Sequence, residues 1–411
     1  MFSAAWWPRL PRVVWLIQIG NVVNFFGLGT ILPFEIIYLH DVRHFTTAVA
    51  GLVLSTVMAT AAVTAPVNGA LVDRIGGKPV LAVGMLMSAA GYSAMGYVHH
   101  PGQAFLCSFV SGLGSGAQTT AGPTLMSALT TPETRASAFA LGRVSVNLGI
   151  AIGSVTGGFI ATTVHPSSFT HLYLINGATF LVYVLFLVTI VPAARMVRTD
   201  GAEPATGGFR TILRDRAFVA LMAANVVFIV VGYTLFANIL PPYAKATTSV
   251  TERDIGFVFL VNTGFIILAA LPIVHAVQSR RRTTSLFLMS IIWSIGCLVV
   301  LPADWIGPAL GATAFLALAG LFSAIGECIH AGVLGPTVAQ MAPPELTGRY
   351  MSIFGVSFTL GFALGPAVGG TVLGISPNGV WIAASVLVLI AGASVLRLRG
   401  RIPDAVPRAT G

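Results

Sequence analysis

Two side chains able to do acid–base chemistry stand in the stretch Ala317–Met341, ALAGLFSAIGECIHAGVLGPTVAQM: Glu327 and, three residues later, His330. The residues around them are apolar over a length that can cross a bilayer. An ionised group near the middle of such a span costs at least about 2.5 kcal/mol, so these groups face a cavity and mark an ion or substrate path. Dehydration disfavours the carboxylate anion, which lets Glu327 hold a proton when it faces one side and release it to the other. His330, on the next turn of the same helix, can share that proton or hydrogen-bond the acid. The competing reading is a satisfied polar pair that only fixes helix packing. A metal site is not expected, because di-metal bundles need two Glu-x-x-His pairs and further carboxylates and this chain has one such pair.

Two more ionisable groups fall inside apolar runs. Glu35 follows Pro33 in GTILPFEIIYLHD, toward the outer end of the first run. It can pass protons through an outer vestibule or simply sit at the water interface. Arg143, with Asn147 one turn on, is the basic residue found inside a span. It reads as a buried cation that pairs with an acid such as Glu327, or as a side chain snorkelling to the inner interface.

Composition shows what must position these groups. The chain has 411 residues, 55% of them hydrophobic and 9% charged, where soluble domains carry about 25% charged residues. A net charge of +9 would suit nucleic acid only if clustered on one face, and here the basic residues are scattered between apolar runs. Cys107, Cys297 and Cys328 all lie inside those runs, which argues against a disulfide framework or a zinc site. The start, MFSAAWWPRLPRVVWL, resembles a signal peptide, but the apolar run continues too far and lacks a cleavage site, so it reads as a retained first helix. Trp6 and Trp7 suit an interfacial aromatic belt.

With about 20 apolar residues needed per span, the chain divides into twelve transmembrane helices, near residues 13–36, 46–70, 79–98, 103–127, 138–162, 171–192, 217–241, 255–277, 284–302, 308–338, 348–374 and 379–397. The expected fold is an all-α integral membrane protein: residues 1–192 form one six-helix bundle, 193–216 a polar cytoplasmic linker and 217–411 a second bundle. The end of the linker, FRTILRDRAF, can form a short interfacial helix. With the N- and C-termini inside, 18 of the 22 Lys and Arg residues fall on the cytoplasmic side, as the positive-inside rule requires. His40, His44, His99, His100, His165 and His171 then lie in or beside outer loops, as pH sensors or as ordinary loop residues.

An internal repeat supports the two bundles. A shift of 212 positions aligns Pro132-Glu133 with Pro344-Glu345 and Gly149, Gly153, Gly157 and Gly158 with Gly361, Gly365, Gly369 and Gly370; Gly122-Pro123-Thr124 recurs as Gly335-Pro336-Thr337 at a shift of 213. Glycines at four-residue spacing let helix backbones approach closely. Two halves related by an axis along the membrane normal, with a substrate site near the midplane, are one transporter architecture. The loop after the second span, Gly69-Ala-Leu-Val-Asp73-Arg74-Ile-Gly76-Gly77-Lys78, combines a glycine turn with an acid and two cations.

That loop matches the G-x-L-x-D-R-x-G-x-K signature of the major facilitator superfamily, which the chain resembles over nearly its whole length. The fifth helix resembles the superfamily's antiporter motif, with Ser154 where proline is usual, and the eleventh carries the Gly365-Pro366 form. Where the arginine usual in the fourth helix of drug exporters would be sought stand Cys107, Ser108, Phe109 and Ser111. The resemblance implies a gating role for Asp73, Arg74 and Lys78, with Asp73 meeting the cytoplasmic end of the eleventh helix near 347–351 in one state. It also implies that Asn21, Asn24, Gln118, Asn147, Asn225, Tyr233 and Asn238 lie on cavity-lining helices. Each can contact substrate or serve as an interhelical hydrogen bond.

Together these readings imply a monomeric bacterial inner-membrane antiporter that needs no cofactor, exchanging protons for small lipophilic, neutral or cationic molecules. The alternatives are a metabolite or sugar facilitator or symporter, for which few polar groups are seen, and a non-transporting membrane sensor, for which no appended soluble domain is seen. An enzyme would need a nucleophile with its base, a metal cluster or a cofactor motif. A phosphate-binding G-x-x-x-x-G-K-S/T loop is not present in the sequence.

Overall fold

The computed structural model describes residues 10–192, 209–278, 280–343 and 346–403. Twelve long helical rods run through them: α1 (Arg12–Val42), α2 (Thr47–Ile75), α3 (Gly77–Met95), α4 (Pro101–Ala128), α5 (Pro132–Ile160), α6 (Ser167–Thr189), α7 (Arg216–Thr247), α8 (Glu252–Gln278), α9 (Arg282–Asp304), α10 (Ala309–Met341), α11 (Thr347–Ile375) and α12 (Pro377–Leu396). Ten of them are long and apolar enough among the described residues to cross a membrane; α3 and α4 fall outside that set. The tenth rod has 33 residues, about 50 Å at 1.5 Å per residue.

Most of the expected linker lies outside the described residues. Its end forms the short helix Phe209–Arg214, and Asp215 caps α7 by accepting a hydrogen bond from the Phe218 backbone N–H at 3.0 Å. The Pro344-Glu345 half of the repeat also lies outside the described residues, as do the side chains of Asp73, Pro132 and Glu133. The turn between α2 and α3 needs Gly76, which has φ +89°, a conformation that side-chain-bearing residues avoid.

The chain divides into two compact units, Met1–His44 with Thr56–Asp200, and Phe45–Ser55 with Gly201–Gly411. In the first, α1 packs on α5 and α6, and α3 on α4 and α6. In the second, α7 packs on α11 and α12, and α9 on α10 and α12. The neighbour scheme is the same with six added to each helix number, so the sequence repeat corresponds to a repeated packing plan.

The glycine pattern acts within each unit. In the first, an added Cβ at Gly149, Gly153 or Gly157 on α5 would overlap the α1 backbone; at Gly153 it would come within 2.9 Å of Gly29 Cα. In the second, Gly361, Gly365 and Gly369 on α11 face Ile229, Thr234 and Ile239 of α7. The shared job is thus to bring the first and fifth helices of each unit together.

α1 and α7 break alike. Ile31-Leu32-Pro33 and Ile239-Leu240-Pro241 are the same tripeptide, and the isoleucines have matching torsions, φ −104° with ψ −33° and φ −105° with ψ −34°. Proline has no N–H for the carbonyl four residues earlier. For Pro33 that carbonyl is Gly29, and Ser154 Oγ of α5 donates to it at 3.3 Å. Ser154 in place of the motif's proline therefore supplies a hydrogen-bond donor to α1.

Gly153→Ala is expected to destabilise the α1–α5 seam by about 1–3 kcal/mol, read as a lower unfolding midpoint in detergent. Gly335→Ala, whose added Cβ meets open space, should leave the midpoint unchanged. Equal midpoints for the two variants would contradict the seam.

Candidate functional site

The second unit gathers the chemistry. The centre is His330 on α10, 1% exposed. Its Nδ1 is 3.1 Å from the Tyr233 hydroxyl and its Nε2 is 2.8 Å from Asn225 Oδ1, both on α7. Asn225 Nδ2 donates to Ser357 Oγ of α11 at 2.7 Å, and Ser357 Oγ donates in turn to the Phe354 carbonyl at 2.7 Å. Rings enclose the imidazole: Phe228, Tyr233, Trp293 and Phe358 have centroids 5.4–6.5 Å from it. Phe362 extends the wall beside Tyr233.

Glu327 is half-buried one turn before His330. The sequence allowed His330 to hydrogen-bond this acid. Instead its two ring nitrogens reach α7, while Glu327 Oε1 lies 3.2 Å from Ser323 Oγ on the preceding turn. Ser323 Oγ also lies 3.1 Å from the Gly232 carbonyl, and a hydroxyl has one hydrogen for these two acceptors.

Local backbone makes this arrangement possible. Val230–Ile239 of α7 is wound as a π-helix, a form frequent at functional sites, and it carries Tyr233. Trp293 of α9 donates from Nε1 to the Ser323 carbonyl at 3.1 Å. A Cβ at Gly232 or Gly326 would overlap its indole, so the two glycines open the slot that Trp293 fills. Beyond the indole lies a small cavity lined by Val231, Phe236, Ser323 and Trp381.

The other predicted residues are dispersed. In the first unit Asn21 donates to Gln18 Oε1 at 3.0 Å, and Gln18, unremarked in the sequence, donates across to the Ala138 carbonyl of α5 at 3.1 Å. Asn24 is 1% exposed, while Glu35, Gln118 and Asn147 are half-buried. Asn238, in the second unit, is half-buried as well. Lys78 reaches the end of α6, donating to the Val188 and Val191 carbonyls at 3.1 and 2.5 Å, where a cation complements the helix dipole. Arg74 is exposed.

Arg143, which the sequence leaves open as a buried cation or a snorkelling side chain, is exposed. Sequence reading passed over Ser323, Ser357 and Trp293. Ser323 had a usable signal, standing one turn before Glu327.

These features define a polytopic helical membrane protein built from a doubled six-helix plan, with an acid and a histidine set inside its second half. The family model described as Major Facilitator Superfamily matches residues 17–237 and 222–411, and the chain belongs to that superfamily of transporters. It is 26% identical to the "uncharacterized MFS-type transporter YttB" of Bacillus subtilis (strain 168), over 96% of this chain and 97% of the relative. It is 23% identical to "multidrug resistance protein MdtH" of Salmonella arizonae, over 87% and 83% of the two chains. Among solved structures it resembles a POT family transporter in complex with 5-aminolevulinic acid (TM-score 0.78, 14% identity, covering 95% and 96%). The nucleoside transporter NupG is similar in fold (TM-score 0.77, 14% identity, covering 94% and 99%).

Asn225→Leu would leave His330 Nε2 buried without its hydrogen-bond partner and is expected to cost about 1–3 kcal/mol. Asn238→Leu should stay within about 0.5 kcal/mol of wild type. Thermal unfolding of the two variants in detergent checks the difference.

Proposed function

We propose that the chain is a proton-coupled antiporter that exports small lipophilic, neutral or cationic compounds by alternating access. The observation that carries this reading is Glu327: a half-buried carboxylate inside a membrane span, held by Ser323 beside the indole of Trp293. Aromatic faces attract organic cations, and a carboxylate that alternates between neutral and charged forms can exchange a proton for such a cation. The similarity to proteins named for multidrug resistance supports the same substrate class.

In this reading Glu327 carries the coupled proton, with His330 and Glu35 as further proton-handling groups. Asn21, Asn24, Gln118, Asn147, Asn225, Tyr233 and Asn238 are candidates for substrate contact. Asp73, Arg74 and Lys78 form the inner gating loop, in which Lys78 anchors α3 to the end of α6. The two bundles span 1–192 and 217–411, with 193–216 as the cytoplasmic tether, in a bacterial inner membrane with both termini inside. The count of Lys and Arg supports that orientation.

Proteoliposomes with an imposed pH gradient, assayed with ethidium as the probe, test the coupling. Glu327→Gln is expected to lower gradient-driven export by about 10²-fold, the scale of a positioned proton-transfer group. Export by the wild type that ignores the gradient would overturn the reading. Asp73→Asn should abolish most transport while leaving ethidium binding near wild type, and unimpaired transport would remove the loop acid from the gate.

A further inference from the structure

Beyond Glu327, we infer that Tyr233 is a proton-relay residue that loads His330 at Nδ1, making the imidazole a second proton store in the same site. This inference rests on the proton-coupled reading above.

Asn225 Nδ2 can only donate, and it does so to Ser357 Oγ at 2.7 Å; the Ser357 hydrogen has the Phe354 carbonyl at 2.7 Å and Met222 Sδ at 3.7 Å as acceptors. That orientation of the amide turns Oδ1 toward His330, 2.8 Å from Nε2, so Nε2 carries a hydrogen. In the neutral ring the other nitrogen, Nδ1, is then an acceptor, and the Tyr233 hydroxyl at 3.1 Å donates to it. The tautomer of His330 thus follows from the orientation of the Asn225 amide.

A second proton can enter this network at one ring atom, Nδ1, because Nε2 is already protonated. Tyr233 Oη is the polar atom that meets it. A proton reaching Tyr233 Oη bonds to that oxygen as the original O–H hydrogen passes to Nδ1. One O–H bond breaks, one N–H bond and one O–H bond form, and tyrosine stays neutral. Release is the reverse. The imidazolium then donates to Tyr233 Oη, whose own hydrogen turns away from the ring.

The surroundings favour that entry. Ser323 holds Glu327 against Gly232, the residue before Tyr233, so the acid and the phenol lie at neighbouring positions along the α7–α10 seam. The groups around His330 are few among the described residues. On α10 the titratable neighbours are Glu327 and Cys328; on α7, Tyr233. On α9, Trp293 faces the ring, with Cys297 one turn on. On α11 Ser357 and the rings of Phe354 and Phe358 face it. On α8, His275 follows Val274, which packs against Gly332. Glu327 is the acidic group nearest in sequence to the imidazole, and its anion would stabilise a charged His330 from the same helix face.

Selective ¹⁵N-histidine NMR of the full-length protein in detergent reads the tautomer, with the His330 signals assigned by their loss in His330→Gln. At neutral pH, Nε2 should be N–H-type and Nδ1 a hydrogen-bonded acceptor; an Nδ1–H tautomer would overturn the inference. In Tyr233→Phe the Nδ1 signal should move to the position of an acceptor without a hydrogen bond, and an unchanged signal overturns the relay. In proteoliposomes, Tyr233→Phe, which keeps the ring that can face an organic cation, should lower pH-driven ethidium export by about 10²-fold and lower ethidium counterflow, which needs no net proton movement, by much less. Equal loss of both would overturn the relay and leave Tyr233 a structural or substrate-contact residue. Should Tyr233→Phe not fold, the wild-type tautomer decides alone. Failure of wild-type export to respond to the gradient would refute the antiport reading but leave the tautomer measurement meaningful.

Discussion

A buried chain of hydrogen bonds ties three helices of the second half together, and the rest of that half is arranged around it. It runs from Phe354 through Ser357 and Asn225 to His330 and Tyr233. In a low-dielectric interior an unpaired member would be costly, so helices α7, α10 and α11 are held in register by the need to keep every member bonded. The π-helical winding of α7, the two glycines that admit Trp293 and the ring of aromatic side chains follow as the means of meeting that demand without water.

The first half uses the same helix plan with a different filling. Its α1–α5 seam is close backbone contact through Gly29, Gly149, Gly153 and Gly157, fastened by Ser154 and Gln18. Such seams exchange side-chain chemistry for proximity, since small residues let backbones touch. The corresponding α7–α11 seam also has its glycines, which face the side chains of Ile229, Thr234 and Ile239. The acid–base pair stands in that half, on α10.

Much of this was legible in the chain. The spacing of apolar runs gave the twelve rods and the helix at the end of the linker, and the glycine repeat pointed to matching helices. Glu327 and His330 stood out because charge and imidazole are rare in apolar spans. What could not be read was the partner of each. Whether His330 turns to Glu327 or to α7 depends on where a neighbouring helix brings Asn225 and Tyr233, and nothing in the local sequence carries that distance. Ser357 and Trp293 were hidden for a related reason, because serine and tryptophan are ordinary in membrane helices until geometry gives them a target. For Arg143 both readings stayed open, because position along a span does not say which way a long flexible side chain leaves it.

The Ile-Leu-Pro break in α1 and α7 separates what the two halves share from what they do not. The tripeptide and its torsions recur in both halves, yet two residues after each proline stand different side chains, Glu35 in one half and Tyr243 in the other. The π-helical stretches also differ, following the break in α1 at Tyr38–Val42 and preceding it in α7. A bend shared down to its backbone angles is part of the frame common to both halves, whereas Glu35 and Tyr243 are particular to one half each. The frame therefore constrains the backbone at this point and leaves the side chain two residues on free to differ.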